Sequence, residues 1–187
     1  MARVQLVSHD LSFAERMWEL VSNPKIKDVL GIPDESVKDT RNFIQWITQE
    51  EQNGNQLSRV ILNENGEFIG VTTLMSINRE RKRCHVGTWI GQEYWGMGYN
   101  HASKIEILKI AFQELGLVHV LAGARKTNIR SQKAQEKLPY IRLNVEDQFP
   151  DEHEFLENKE QQPCVLHAFF KNDFEKYVKE NASSLQI

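Results

Sequence analysis

With 187 residues, 40% of them hydrophobic and 26% charged, the chain suits one sizeable globular domain, residues 1–187, that buries a core without disulfide staples. Its formal net charge of -3 lacks the basic footprint of a nucleic-acid surface. Two cysteines, Cys84 and Cys164, make no disulfide framework and fit a reducing cytoplasm, and no stretch reaches membrane-spanning length or forms an apolar signal core.

In chain order, residues 3–8 read as a strand with Val4, Leu6 and Ser8 on one face. Ser12 and Glu15 have the spacing of a capping box, and Phe13, Met17, Leu20 and Val21 then share one helical face. Pro24 closes that helix. A second helix is expected over 37–52, with Phe43, Ile44 and Ile47 as its apolar stripe. Residues 57–62 and 67–77 read as strands joined by an Asn65-Gly66 hairpin turn. A charged connection leads to a third strand, 84–90, followed by a glycine-bearing loop, 91–100.

The long helix expected over 101–115 keeps Ala102, Ile105, Leu108, Phe112 and Leu115 at helical spacing, with Gly116 as its left-handed cap. Residues 118–122 read as a strand and 128–138 as a helix. Residues 140–145 and 164–170 read as the last two strands, separated by an acidic loop, 146–160. A short terminal helix is expected over 172–179. Strand, two helices, three strands, helix, strand, helix, two strands is an α+β order: a mixed central sheet packed by helices, with a right-handed crossover between 84 and 122.

The chemically informative stretch is Trp95-Gly96-Met97-Gly98-Tyr99-Asn100, between a strand and a helix start. Glycines let main chain approach a ligand closely, and successive N–H groups at a helix N-terminus suit a pyrophosphate. A dinucleotide fingerprint needs a third glycine where His101 stands, and a P-loop needs a Gly-Lys-Ser/Thr ending that is absent.

The series beginning there resembles the coenzyme-A motif of the GNAT N-acetyltransferases, and in particular their RimJ/RimL-like branch of ribosomal-protein N-terminal acetyltransferases. That branch often shows Trp-Gly-x-Gly-Tyr-Ala, a helix ending Ala-Phe-x-x-Leu-Gly-Leu, then Asn-x-x-Ser and Glu-Lys-Leu-Gly-Phe. This chain supplies Trp95-Gly96-Met97-Gly98-Tyr99 and Ala111-Phe112-Gln113-Glu114-Leu115-Gly116-Leu117. It continues with Asn128-Ile129-Arg130-Ser131 and Glu136-Lys137-Leu138-Pro139-Tyr140. Asn100 and Pro139 depart from the usual small residue and glycine.

The resemblance implies a single GNAT domain that transfers an acetyl group from acetyl-CoA to a primary amine, on a protein N-terminus or a small molecule, by direct attack on the thioester. It implies that the main-chain amides of Gly96, Gly98 and Asn100 hold the pyrophosphate. The pantetheine arm would pair with the 84–90 strand, where an N–H near Trp89 or Ile90 would polarise the thioester carbonyl. Asn128 and Ser131 would face the cofactor.

An α-amino group, with an ordinary pKa of about 7.7–8.0, is partly neutral at pH 7, whereas a lysine amine near 10.4 is almost wholly protonated. Some group must therefore accept a proton. His85 stands where many relatives carry a glutamate, and imidazole suits a base at neutral pH; Glu93 is the second candidate. Many GNAT enzymes place a tyrosine at the position of Gln135, which is not an acid, so Ser131 is the expected thiolate partner. The acidic stretch 146–160 would steer a cationic acceptor or simply be solvated, and Trp18 and Trp46 would line the acceptor cleft or pack the core. The alternatives are a catalytically inactive acyl-CoA-binding module on the same fold and an unrelated α+β scaffold without a cofactor.

Overall fold

The computed structural model describes residues 2–30 and 36–185. Seven strands are hydrogen-bonded in the order β1-β2-β3-β4-β5-β7-β6, a mixed sheet flanked by helices. The chain divides into two compact units, Met1–Ile77 with Gly87–Ile110, and Asn78–Val86 with Ala111–Ile187.

The first unit opens with β1 (Val4–Val7), antiparallel to β2 (Leu57–Asn63), which pairs in turn with β3 (Phe68–Asn78). Asn63 ties the β2–β3 hairpin, its side-chain oxygen accepting from the Asn65 and Glu67 N–H groups. Between β1 and β2 lie α1 (Ala14–Val21), α2 (Pro24–Leu30) and α3 (Val37–Gln52). The expected capping box is corrected: Asp10, not Ser12, caps, accepting from the Ser12 N–H ahead of a 3₁₀ turn, Leu11–Phe13. Pro24 does not merely end a helix; it stands at the start of α2, where its missing N–H costs nothing.

Helices α1 and α3 bury Met17, Leu20, Val21 and Ile44 against Val60, Phe68 and Val71 on one face of the strands. The opposite face packs Ile61, Ile69 and Ile90 against Tyr99 of α4 (Tyr99–Lys109). Strand alternation produces this division, since neighbouring residues such as Val60 and Ile61 point to opposite faces. Each fully buried Ile, Leu or Val contributes about 1.5–3 kcal/mol relative to exposure.

In the second unit, β4 (Arg83–Ile90) begins and pairs in parallel with β5 (His119–Arg125) through Arg83, Cys84 and His85. Helix α4 is prolonged by a π-helical turn, Ile110–Glu114, and Gly116 caps it at φ 67°. Then follow α5 (Ile129–Glu136), β6 (Ile141–Arg142), α6 (Pro150–Glu160), β7 (Cys164–Phe170), α7 (Lys171–Glu180) and α8 (Ala182–Leu185). β7 is antiparallel to both β5 and β6. Phe112, Tyr140, Phe169 and Phe174 form an aromatic core with ring centroids 5.4–5.8 Å apart.

Two expectations are corrected here. The strand expected over 140–145 shrinks to two residues, because Asn144 takes a φ of 54° and its N–H turns to His167 Nδ1 at 3.0 Å. The acidic stretch is not a loop: Pro150 opens α6, Asp151 and Glu152 occupy its first turn, and Lys159 its last. These charges complement the helix dipole.

Candidate active site

The first unit builds a site from main chain. Gly96 and Gly98 take φ of 80° and 88°, a region that side chains with a Cβ rarely adopt, and a Cβ at Gly96 would meet nothing within 4 Å. Gly98 is the N-cap of α4; no side chain caps that end, and no acidic residue lies in the first turn. Ala102 N–H reaches the Gly98 carbonyl at 3.1 Å, which leaves the N–H groups of Tyr99 and Asn100 without intrahelical acceptors. Aligned donors at the positive end of an eleven-residue helix suit a phosphate.

The loop is anchored on both sides. Trp95 donates its indole N–H to the Ile90 carbonyl at 2.6 Å, and Tyr99 is buried, donating its hydroxyl to Glu64 at 2.9 Å. Glu93 is tied by Arg16 at 2.7 Å, and Arg16 also bonds the Tyr94 hydroxyl. The carboxylate of Glu93 thus fixes the loop. Met97 is exposed at the tip.

Hydrogen bonds assign the two edges of β4. Gly91 N–H donates to the Ile69 carbonyl at 2.8 Å, and the Gly87 carbonyl accepts from the Thr72 hydroxyl at 3.4 Å. Odd-numbered residues therefore turn their main-chain groups toward β3, and the even-numbered Thr88 and Ile90 turn theirs to the edge away from it. Of the two expected carbonyl-polarising donors, Ile90 lies on that edge. Trp89 faces β3, and its ring packs beside Phe68 at 6.0 Å. The approach of β3 to β4 is so close that a Cβ at Gly70 would lie 2.2 Å from the Trp89 carbonyl oxygen and 2.9 Å from Ile90 Cα.

Between α4 and the sheet face formed by β3 and β4 lies a group that sequence reasoning missed. Lys104 of α4 is 5% exposed, and its ammonium donates to the hydroxyl of half-buried Thr88. Thr88 is joined in turn to Thr72 at 2.7 Å. Burial lowers the Lys104 pKa to about 7.

The second unit builds a site from side chains. His85, 6% exposed, meets Glu152 of α6 through Nε2 at 2.7 Å. The other Glu152 oxygen forms an ion pair with Arg83, 2.6 Å from its Nε, and Asp151 engages both Arg81 and Arg83. The hydrogen bond to His85, then the His85 and Arg83 charges, hold the Glu152 carboxyl below its ordinary pKa against the effect of burial. Phe155 lies beside the imidazole, ring centroids 5.6 Å apart. With Asp151 and Glu152 paired to arginines, the acidic stretch presents far less free charge than its composition suggests. Cys84, next to His85, is 1% exposed, and burial pushes its thiol up to about 12, so it holds no ready thiolate nucleophile.

At the head of α5, Asn128 Oδ1 accepts from Ser131 N–H at 3.0 Å, so this side chain is a helix cap. Gln135 is buried and donates its amide to Ser131 Oγ at 3.2 Å. The Ser131 oxygen is occupied as an acceptor, which leaves its own proton for another partner.

Glu152, Lys104 and Thr88 carried no motif. Pro150 followed by two acidic residues was the readable sign that Glu152 stands on a helix. Trp18 and Trp46 lie on α1 and α3, with Trp46 half exposed beside Phe43, ring centroids 6.0 Å apart.

Comparison with known proteins fits this geometry. The family model described as acetyltransferase (GNAT) domain matches residues 3–140. An uncharacterized N-acetyltransferase p20 of Bacillus licheniformis is 26% identical over 141 residues, 74% of this chain and 79% of its own. The putative ribosomal N-acetyltransferase YdaF of Bacillus subtilis is 26% identical over 76 residues, 41% of this chain and 42% of its own. Among solved structures, FdhC, described as a nucleotide-linked sugar GNAT, superposes with a TM-score of 0.75 at 18% identity, covering 97% of this chain and 94% of its own. A putative ribosomal-protein-serine acetyltransferase from Vibrio cholerae gives 0.70 at 14%, covering 90% and 94%. Spermidine N-acetyltransferase from Vibrio cholerae, solved with CoA and spermine, gives 0.70 at 13%, covering 92% and 98%.

Proposed function

Because the chain belongs to the GNAT acetyltransferase family, whose acyl donor is acetyl-CoA, we propose that it acetylates a primary amine by direct attack on the thioester. The observation that carries this reading is the uncapped start of α4 behind two glycines of positive φ. Residues 1–187 are read as one functional domain, in keeping with solved structures that cover 90–97% of the chain.

The residues present fit the donor. Main-chain amides of Gly96, Gly98 and Asn100 bind the diphosphate; a negative ligand there gains from the helix dipole and meets no carboxylate in the first turn. Bound acetyl-CoA supplies the acyl group in activated form. The β4 edge away from β3 orients the pantetheine arm, and the Ile90 N–H on that edge polarises the carbonyl, a preorganised donor worth about 3–4 kcal/mol in comparable sites.

His85 accepts the proton of the amine. Glu152 orients it: a carboxylate held ionised by Arg83 accepts from Nε2–H, which leaves Nδ1 as the basic nitrogen. Ser131 donates a hydrogen bond to the departing sulfur, its oxygen held by Gln135. Glu93, engaged by Arg16, is assigned to loop support and not to proton transfer.

For the acceptor, amines of two kinds are supported by relatives named for ribosomal N-acetyltransfer and for spermidine. A panel of peptide N-termini and polyamines, read by CoA release and by mass spectrometry of the product, tests the proposal. Release with at least one amine, lost in His85→Ala while acetyl-CoA still binds, is the expected result. No release with any amine, together with no rise in Tm at saturating acetyl-CoA, would overturn it.

A further inference from the structure

On the sheet face turned away from α4, three polar side chains form a row that the mechanism above does not use. His9, just beyond β1, meets Ser58 of β2 through Nε2 at 2.8 Å, and Ser58 Oγ lies 2.7 Å from Thr73 Oγ1, its register partner on β3. Strand alternation puts Ser58 and Thr73 on the face of Val60 and Val71, which α1 and α3 pack. The ring of Phe43 on α3 holds His9 in a T-shaped contact, centroids 5.8 Å apart. Ser58 is 0% exposed, whereas Thr73 is half-buried.

The row has one direction. His9 Nδ1 is buried with no partner among the described residues, and an orphaned N–H there would cost more than a bare lone pair. Burial, opposed by the Glu51 charge and aided by that of Arg59, lowers the ring's pKa to about 4, so at neutral pH it carries a single N–H. That proton therefore sits on Nε2 and is donated to Ser58. Ser58 donates in turn to Thr73, whose own hydroxyl proton has no acceptor among the described residues.

Thr73 opens onto a gap in the packing. Thr72 and Leu74, on the α4 side of β3, are 0% exposed, while Thr73, Met75 and Gly87 on the other side are only half-buried. Thr72 meets Thr88 across the strands at 2.7 Å, so the β3–β4 hairpin sets Thr73 opposite Gly87. Among the described residues, a Cβ at Gly87 would meet only Cε and Sδ of Met75 within 4 Å. We propose that Thr73 is a specificity residue, donating a hydrogen bond to a main-chain carbonyl of a peptide acceptor that lies over Gly87. His9, acting through Ser58, is the positioning residue that fixes the direction of that donor. This rests on the reading that the amine attacks a thioester held at Ile90. Tyr99 of α4 packs against Ile90 and closes one face of the strand, so the acceptor comes over the other. Gly87 precedes Ile90 by three residues, roughly 10 Å of strand, which the first three residues of an extended peptide span. A polyamine, whose remaining nitrogens are ammonium donors at neutral pH, offers this hydroxyl no acceptor.

The test compares kcat/KM for the best peptide acceptor with that for spermidine, in the wild type and in variants whose Tm and acetyl-CoA affinity are measured alongside. Thr73→Val, one hydroxyl exchanged for a methyl, should lower the peptide-to-spermidine ratio about tenfold, chiefly through the peptide KM. Thr73→Ser should restore it. His9→Leu should lower the ratio about threefold, and His9→Gln, which keeps an N–H at the place of Nε2, should recover it, a rescue that a merely structural histidine would not show. Where spermidine is not turned over, the same tenfold change is read in the peptide KM alone. An unchanged ratio in Thr73→Val overturns the inference, as does a wild type that acetylates spermidine but no peptide; both leave the acetyltransferase reading intact. No turnover of any amine, with no binding of acetyl-CoA, overturns both. Should His9→Leu not fold, the two Thr73 variants, at a half-buried position, decide the question.

Discussion

The two halves of the candidate chemistry are built from different materials. The loop at the head of α4 is a main-chain site: its donors are N–H groups, its shape comes from Gly96 and Gly98, and its side chains, Trp95 and Tyr99, serve as anchors. The His85 cluster is a side-chain site in which one imidazole, two carboxylates and two arginines pair with one another. A main-chain site tolerates change in most of its side chains and fails when its backbone angles are denied. A side-chain site keeps its backbone under substitution and fails when one functional group is removed.

That contrast breaks first at His85. Replacing it with alanine should lower kcat about 10²–10⁴-fold, the usual worth of a general base, while acetyl-CoA affinity by calorimetry stays within about twofold. Loss of affinity on the same scale as turnover would erase the distinction between the two sites.

The next largest effect is on stability and lies beside the main-chain site. Lys104 has a folded-state pKa of about 7 against an ordinary 10.5, so folding expels a proton between those values. The penalty is therefore full at and below about pH 7 and fades as pH rises toward 10.5. Lys104→Met should stabilise the protein by roughly 2–4 kcal/mol at pH 7, a Tm rise of about 5–10 °C at this length. Its advantage over the wild type should shrink on going to pH 9 in paired melting curves. A variant that melts lower than the wild type at pH 7 would contradict the account of an unpaired buried cation.

A smaller change sharpens the main-chain half. Gly98→Val forces a β-branched residue to a φ of 88°, a strain of about 1–3 kcal/mol, and should weaken acetyl-CoA binding roughly tenfold. Turnover at saturating donor should fall less than the affinity does, a division read from kcat and KM separately.

The smallest expected effect belongs to Glu152. Its carboxyl is held below the ordinary value, so it contributes stability above its unfolded pKa that is lost as pH falls through the folded one. Glu152→Gln should cost about 1 kcal/mol at pH 7, and its difference from the wild type should narrow on acidification below about pH 4. Chemical denaturation at a series of pH values measures this.

Much of the fold was legible along the chain because its signals are local. β7 and α3 fall where alternation and helical spacing put them, and the glycine loop announces its own turn. The misreadings have physical causes. α6 lacks a continuous apolar stripe, since Leu156 is its one buried residue, so periodicity was silent and only Pro150 and its acidic neighbours gave a sign. The strand at 140–145 looked continuous until His167, distant in sequence, claimed the Asn144 N–H. Glu93 looked like a base beside the loop, and Arg16, 77 residues away, holds it in an ion pair.

The sequence by itself determined the family motif, the strand–loop–helix around Trp95–Asn100 and the place of His85 on β4. Backbone angles and main-chain donors follow from a handful of consecutive residues. Only the tertiary structure decided that Glu152 meets His85 across 67 residues and that Lys104 lies behind Thr88. Strand pairing and helix packing bring such side chains together, and burial, which no linear pattern records for a lone lysine or glutamate, decides what charge they carry.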